Sequence, residues 1–221
     1  MTFFELPHSP YCLPIKRILQ AAGQPFEIED VPNWDRRKVI ELTGGAYYQV
    51  PVLVHDGRVI FESGPDTNDV AQYVDATFAG GRLFPAKLAG LHNILVHYLD
   101  DEVEGATFRC TDAFYVDSIP DLVARTMVLR HKERKFGRGC VEQWKSQLES
   151  LRAGAEQHFA RFDSRLAQTP FLLGDQPVYA DFLLWGILGN YTWNGWNEIP
   201  GAMTALRGWR ERLGAFSFGS G

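Results

Sequence analysis

No stretch of the chain approaches the ~20 consecutive apolar residues that a bilayer-spanning helix requires. The opening Met1-Thr2-Phe3-Phe4-Glu5 also lacks the basic segment and apolar run of an export signal. Both absences predict a soluble protein that stays inside the cell. Cysteine is scarce as well. Cys12, Cys110 and Cys140 cannot all pair with one another, and none stands at the paired spacing of a zinc site, so a reducing cytoplasm is expected and no metal. A cationic surface is the third deficit. The net charge is -5, and residues 1 to 80 hold 6 Lys/Arg against 11 Asp/Glu while the remainder is balanced, which excludes a nucleic-acid partner. No internal repeat or low-complexity stretch is found. With 45% hydrophobic and 22% charged residues, the 221-residue chain has the composition of a folded globular protein, long enough for one large domain or two small ones.

The apolar pattern changes character near residue 80. Residues 2 to 6 read as a strand, a turn follows at Pro7, Ser9 and Pro10, and Ile15, Ile18, Leu19 and Ala22 recur at helical spacing up to Gly23. Pro25 to Val31 reads as a second strand and Trp34 to Leu42 as a short polar helix. Pro51 to Val54 and Val59 to Phe61 then form two strands around a turn at Asp56-Gly57. From Pro65 onward Val70, Tyr73, Val74 and Phe78 are helically spaced, with Pro65 suited to a first helical position, and Ala79-Gly80-Gly81 with Pro85 reads as a linker. Beyond it strand signals vanish. The apolar positions from Val141 to Leu166 predict one long amphipathic helix, and further helices are expected over about 86–106, 119–136, 179–190 and 201–213. The fold class is therefore α/β plus all-α: a βαβ-ββα domain at 1–80 followed by a helical bundle domain at 86–221.

Three local features can carry chemistry. Ser9-Pro10-Tyr11-Cys12 lies where a strand runs into a helix, whose unpaired N–H groups and dipole favour an anion or a thiolate. Ser9 reads either as a plain cap or as a hydroxyl aimed at that anion. Because Ser9 stands where a redox protein of this layout would carry a nucleophilic cysteine, two-thiol disulfide chemistry is excluded. The second feature is Gln49-Val50-Pro51-Val52 at a strand entrance. A cis Pro51 there would leave the Val50 backbone free to pair with an extended peptide, although most such prolines are structural. The third is Glu62-Ser63 at a strand end before a helix, where Ser63 suits a carboxylate and Glu62 an ammonium.

In this order and at these separations, the three features resemble the cytosolic glutathione transferase family, of serine type and bacterial-like, over nearly the whole chain. The resemblance implies a thioredoxin-like N-terminal half with glutathione as co-substrate. A fourth family mark is incomplete. In Val178-Tyr179-Ala180-Asp181 the capping-box acid is present as Asp181 but Val178 offers no side-chain acceptor, an expected cost of ~1 kcal/mol.

The implied roles follow residue by residue. Ser9 would donate a hydrogen bond to the glutathione thiolate. Glu62 and Ser63 would hold the γ-glutamyl group and Val50 beside Pro51 the cysteinyl backbone. Arg36 and Lys38, with Arg37 and Gln49, are candidates for the glycine carboxylate, or else belong to a solvated helix face. His8 and Cys12 are possible accessories, with surface and packing roles as the alternatives. A small hydrophobic electrophile would lie against Tyr11, Phe108, Tyr115 and Trp193, with Phe114 and Trp196 also considered. The run from Arg130 to Arg138 reads as a solvated helix end or, as a second reading, an anion-binding or partner surface. The resemblance further implies a detoxifying, homodimeric, cytoplasmic transferase. A glutathione-dependent isomerase, an ether-cleaving or thiol-transfer enzyme, and a non-catalytic binding member remain as alternatives.

Overall fold

A computed structural model describes residues 1–64 and 67–219. Its first element, β1 (Thr2–Glu5), is one of the two inner strands of a four-stranded sheet with β2 (Glu27–Asp30), β3 (Val52–His55) and β4 (Arg58–Ile60), in the order β2-β1-β3-β4. β1 and β2 are parallel, with Phe3 opposite Ile28, so a crossover must join them, and α1 (Cys12–Ala21) supplies it. β3 runs antiparallel to β1, with Phe3 opposite Leu53, and β4 antiparallel to β3. The β3–β4 hairpin turns on Asp56 and Gly57, both at positive φ, as a two-residue turn of matching twist demands. Edge strand β2 is guarded by Glu27, Glu29 and Asp30, which discourage pairing with another chain.

α1 buries Ile15, Ile18 and Leu19 against Phe3, Val52 and Leu53 of the sheet. Pro14 sits in its first turn, where the missing N–H costs nothing, and the chain leaves the helix through Gly23 in the left-handed region. α2 (Arg37–Leu42) begins three residues later than the sequence suggests. α3 (Asp69–Val74) continues into a wider π turn at Asp75–Ala79. Pro65, the expected helix start, lies outside the described residues. Left-handed Gly80 and Gly81 then lead into the helical half.

That half corrects the sequence reading twice. The first helix does not stop near 106: α4 (Ala89–Tyr98) passes through a π turn at Leu99–Glu104 directly into α5 (Gly105–Ser118). Residues 107–118 escape the apolar pattern because α5 buries side chains on several faces, among them Thr107, Cys110, Thr111 and Tyr115. After α6 (Leu122–Phe136), the expected single helix over 141–166 is two, α7 (Cys140–Ser146) and α8 (Leu148–Leu166), broken at Gln147 with φ -105 and ψ 11. Their apolar stripes are in phase across the break, so spacing alone reads straight through it.

α9 (Tyr179–Tyr191) is the buried axis of the bundle and packs on α1, and α10 (Thr204–Gly214) closes it. Asp181 at the start of α9 is fully buried. Its carboxylate accepts the Val178 N–H at 3.0 Å, the Leu172 N–H at 2.9 Å and the Trp209 indole N–H at 2.9 Å. Val178 indeed supplies no side-chain acceptor, and its carbonyl instead takes the Asp181 N–H at 2.9 Å. The half-box thus serves as a tether between three segments. Arg17 of α1 crosses to the Leu213 carbonyl at 3.0 Å and to that of Phe216, joining the two halves. Among the described residues no helix is long and apolar enough to cross a membrane.

Candidate functional site

The loop between β1 and α1 is shaped by Ser9. Its N–H donates to the Leu6 carbonyl at 2.8 Å, while its hydroxyl oxygen accepts the N–H groups of Tyr11 at 3.2 Å and Cys12 at 3.3 Å. Ser9 is therefore a cap of the helix start, and capping uses only its lone pairs. The hydroxyl proton can be donated, and an incoming anion would compete for it with the neighbouring Cys12 sulfur. Two accepted N–H bonds polarise that O–H and make it a better donor.

Ser9 lines a cavity of about 400 Å³ together with His8, Tyr11, Arg36, Gln49 and Val50 from the sheet half and Phe108 from the helical half. Tyr11, Gln49 and Val50 also border a second cavity, of about 550 Å³, whose far side carries Pro51, Glu62 and Ser63. The Val50–Pro51 bond is cis. The two spaces form one trough, with Ser9 toward one end and Glu62-Ser63 toward the other.

The ends differ electrically. Arg36 donates to Asn33, and among the described residues its buried Nη1 has no hydrogen-bond partner, leaving a guanidinium N–H free for an anion such as a carboxylate. Lys38 does not join it. It pairs with Glu29, lies over the Phe4 ring and borders a separate surface depression with Asp30, Asp35 and Arg37. Arg37 in turn pairs with Asp35 at 3.0 Å. Each helical step turns the side-chain direction by about 100°, so the two steps from Arg36 to Lys38 bring it round to nearly the opposite face.

At the other end, Glu62 accepts the N–H of Asp69 at 2.6 Å, the Thr67 hydroxyl at 2.9 Å and the Val70 N–H at 3.3 Å, closing the start of α3. Ser63 gives both its N–H, at 2.7 Å, and its hydroxyl, at 2.6 Å, to Asp69 Oδ2. These are donors suited to a carboxylate, and in the structure one of the chain's own carboxylates receives them.

His8 is not a surface residue. It is buried, its ring 4.3 Å from that of Tyr115 and 5.8 Å from that of Trp193, and burial, aided by the charges of Lys132 and Arg36, lowers its pKa to about 4. Tyr115 and Trp193, expected as walls for an electrophile, thus pack behind His8 while Tyr11 and Phe108 face the cavity. Phe114 and Trp196 stack on each other with centroids 6.0 Å apart, in the second hydrophobic cluster. Cys12 is wholly enclosed in the core, and burial pushes its thiol up to about 12 despite opposing hydrogen bonds. It is a packing residue.

Sequence reasoning missed Tyr48, adjacent to the Gln49-Val50-Pro51 motif, and Glu104 and Asp112, which line the Ser9 cavity from the helical half, while Asn190, the first residue of the Asn190 to Trp196 stretch expected at the pocket wall, does line it. Only Tyr48 carried a local signal. The basic run is divided: His131 and Lys132 reach this cavity, with Lys132 paired to Asp112, while Glu133 pairs with Arg130 outside it.

Comparison with known proteins agrees with this layout. Residues 3–82 match the family model for the glutathione S-transferase N-terminal domain and residues 142–212 that for its C-terminal domain. A probable glutathione S-transferase, GSTU6 of Oryza sativa subsp. japonica, is 27% identical over 213 residues, covering 94% of this chain and 81% of its own. Among solved structures, the bacterial GST BphK in a ternary complex is similar with a TM-score of 0.67 at 20% identity, covering 99% of this chain and 95% of its own. A glutathione S-transferase from Rhodospirillum rubrum F11 gives 0.72 at 17% identity, with 98% and 89% covered. The trough, the two matched domains and the shared architecture lead to one conclusion: the chain belongs to the glutathione S-transferase family, whose co-substrate is glutathione.

Proposed function

We propose that this protein is a serine-type glutathione transferase, similar to soluble bacterial members, that adds the glutathione thiolate to a small hydrophobic electrophile. The observation that carries the reading is the trough itself. It joins a capped helix start at Ser9, the Val50-Pro51 peptide edge, the free guanidinium N–H of Arg36 and the Glu62-Ser63 corner.

In this reading the tripeptide lies along the trough with its sulfur at Ser9, its cysteinyl backbone against Val50 and its glycine carboxylate toward Arg36 and Gln49. The γ-glutamyl carboxylate displaces Asp69 from Ser63, and Glu62 faces the ammonium. The electrophile lies over Tyr11 and Phe108. Lowering the thiol pKa by ~2 units requires about 2.7 kcal/mol of preferential thiolate stabilisation, within reach of one charge-assisted hydrogen bond and a helix start. The enclosed Cys12 thiol weighs against a thiol-transfer enzyme built on that residue. A cytoplasmic homodimer with a detoxifying role belongs to the same proposal.

The test is Ser9→Ala with glutathione titrated against pH by thiolate absorbance. Tripeptide affinity should stay within a few-fold while the bound thiol's pKa rises by ~1–2 units and turnover at neutral pH falls accordingly. An unchanged thiol pKa and turnover would refute the role given to Ser9.

A further inference from the structure

Glu104 is an ionisable group of the Ser9 cavity that the proposed chemistry has not used. It ends the π turn between α4 and α5, a helix irregularity found disproportionately at functional sites, and its side chain lines the cavity with Ser9, Tyr11 and Phe108. Among the described residues no hydrogen bond or ion pair engages its carboxyl group; only its backbone carbonyl is used, by Thr107. By contrast, Asp112 in the same cavity is neutralised by Lys132. An unpaired carboxyl facing a half-closed cavity is costly to a fold unless it is kept neutral, and a neutral carboxylic acid is a proton donor.

We infer that Glu104 is a catalytic proton donor, protonating the electrophile as the glutathione sulfur bonds to it, and that the site therefore takes acceptors whose adduct must gain a proton, such as α,β-unsaturated carbonyl compounds. This inference rests on the placement of the thiolate at Ser9. The step balances within the two substrates. A sulfur lone pair forms the C–S bond, the C=C pair moves toward the carbonyl as an enolate, and the Glu104 O–H bond breaks to deliver its proton to that enolate. The carboxylate left behind is reprotonated by the proton that the thiol released on ionising.

The surroundings hold the acid in the required form. Burial, followed by repulsion from Asp112 of α5 and Asp100 of the same π turn, raises the Glu104 pKa to about 7, against the attraction of Lys135 and Lys132 of α6. The other titratable groups of the cavity are Tyr11 and His8 of the first loop, Arg36 beside α2, Tyr48 of the loop before β3 and His131 of α6. Tyr11 is held above its ordinary value by desolvation and then by the charge of Glu104 itself, and His8 is neutral, so neither competes as an acid near neutral pH.

The experiment compares two electrophiles on wild type and Glu104→Gln: 4-phenyl-3-buten-2-one, which needs a proton, and 1-chloro-2,4-dinitrobenzene, which releases chloride and needs none. In the wild type, kcat for the enone should decline above pH ~7 as the donor ionises, while that for the aryl chloride should not. In Glu104→Gln the enone rate should fall at least tenfold further than the aryl chloride rate, and the decline should vanish. Persisting aryl chloride turnover shows that the variant is folded. A wild-type enone profile without the decline, or equal effects of the substitution on both electrophiles, would overturn the inference. If bound glutathione shows no thiolate absorbance in the wild type, the Ser9 reading itself fails; a normal thiolate signal with an enone rate indifferent to the substitution removes Glu104 alone.

Discussion

Gly186, in the middle of α9, is where the scaffold and the site touch. A Cβ at this position would stand 2.5 Å from the Pro10 carbonyl oxygen and 2.5 and 2.6 Å from the Pro14 ring carbons Cδ and Cγ. Ordinary contact is longer by ~1 Å, so Gly186→Ala must push the start of α1 away from α9 by about that distance. Backbone and a proline ring have no rotamer with which to yield. Overpacking of this kind costs ~1–3 kcal/mol, set against ~1 kcal/mol gained from alanine's better helix propensity. A net loss of up to about 2 kcal/mol corresponds to a fall of up to roughly 8 °C in Tm for a protein of this size. Activity should suffer more than stability, because the atom displaced belongs to the residue after Ser9. Misplacing a catalytic group by ~1 Å can lower turnover on the order of 100-fold. The control is Gly189→Ala one turn on, whose Cβ would meet only Leu13 Cδ1, at 2.9 Å, the end of a side chain that can rotate. Thermal melts and steady-state kinetics with glutathione and 1-chloro-2,4-dinitrobenzene should show Gly186→Ala impaired and Gly189→Ala within a few-fold of wild type. A Gly186→Ala protein as stable and as active as wild type would refute the packing argument.

Two further outcomes concern buried polar groups. Asp181→Ala leaves the N–H groups of Leu172, Val178 and Trp209 without an acceptor and should lower unfolding free energy in urea by ~3–6 kcal/mol, with Asp181→Asn between it and wild type; a loss below ~1 kcal/mol for the alanine variant would show that the tether carries little. His8, with its pKa lowered to about 4 by burial, binds its proton more readily in the unfolded chain than in the folded one. Its contribution is therefore complete above the unfolded value of about 6.5 and is lost as pH falls toward 4, on the order of 3 kcal/mol. The stability difference between wild type and His8→Gln should change by that amount between pH 7 and 4, and parallel pH profiles for the two would contradict the burial of a neutral imidazole.

What the sequence by itself determined is whatever depends on neighbours along the chain. The turn at Asp56-Gly57, the capped loop at Ser9, the strand entrance at Val50-Pro51 and the alternation of strands and helices up to residue 80 are set by local backbone preference and apolar spacing. The same spacing could not see the break at Gln147, since in-phase stripes on α7 and α8 look like one helix, nor the continuation through the π turn into α5. Nor does a cluster of Arg36, Arg37 and Lys38 announce which cation turns inward: that follows from the angle at which α2 meets the sheet, and the sheet takes Lys38 for Glu29. Only tertiary structure brought Glu104 and Lys132 opposite Ser9. Glu104 ends the π turn that leads into α5 and Lys132 lies on α6, both roughly a hundred positions or more from the loop they face, and their convergence is decided by how α5 and α6 pack, a matter of shape complementarity that no short window of sequence contains.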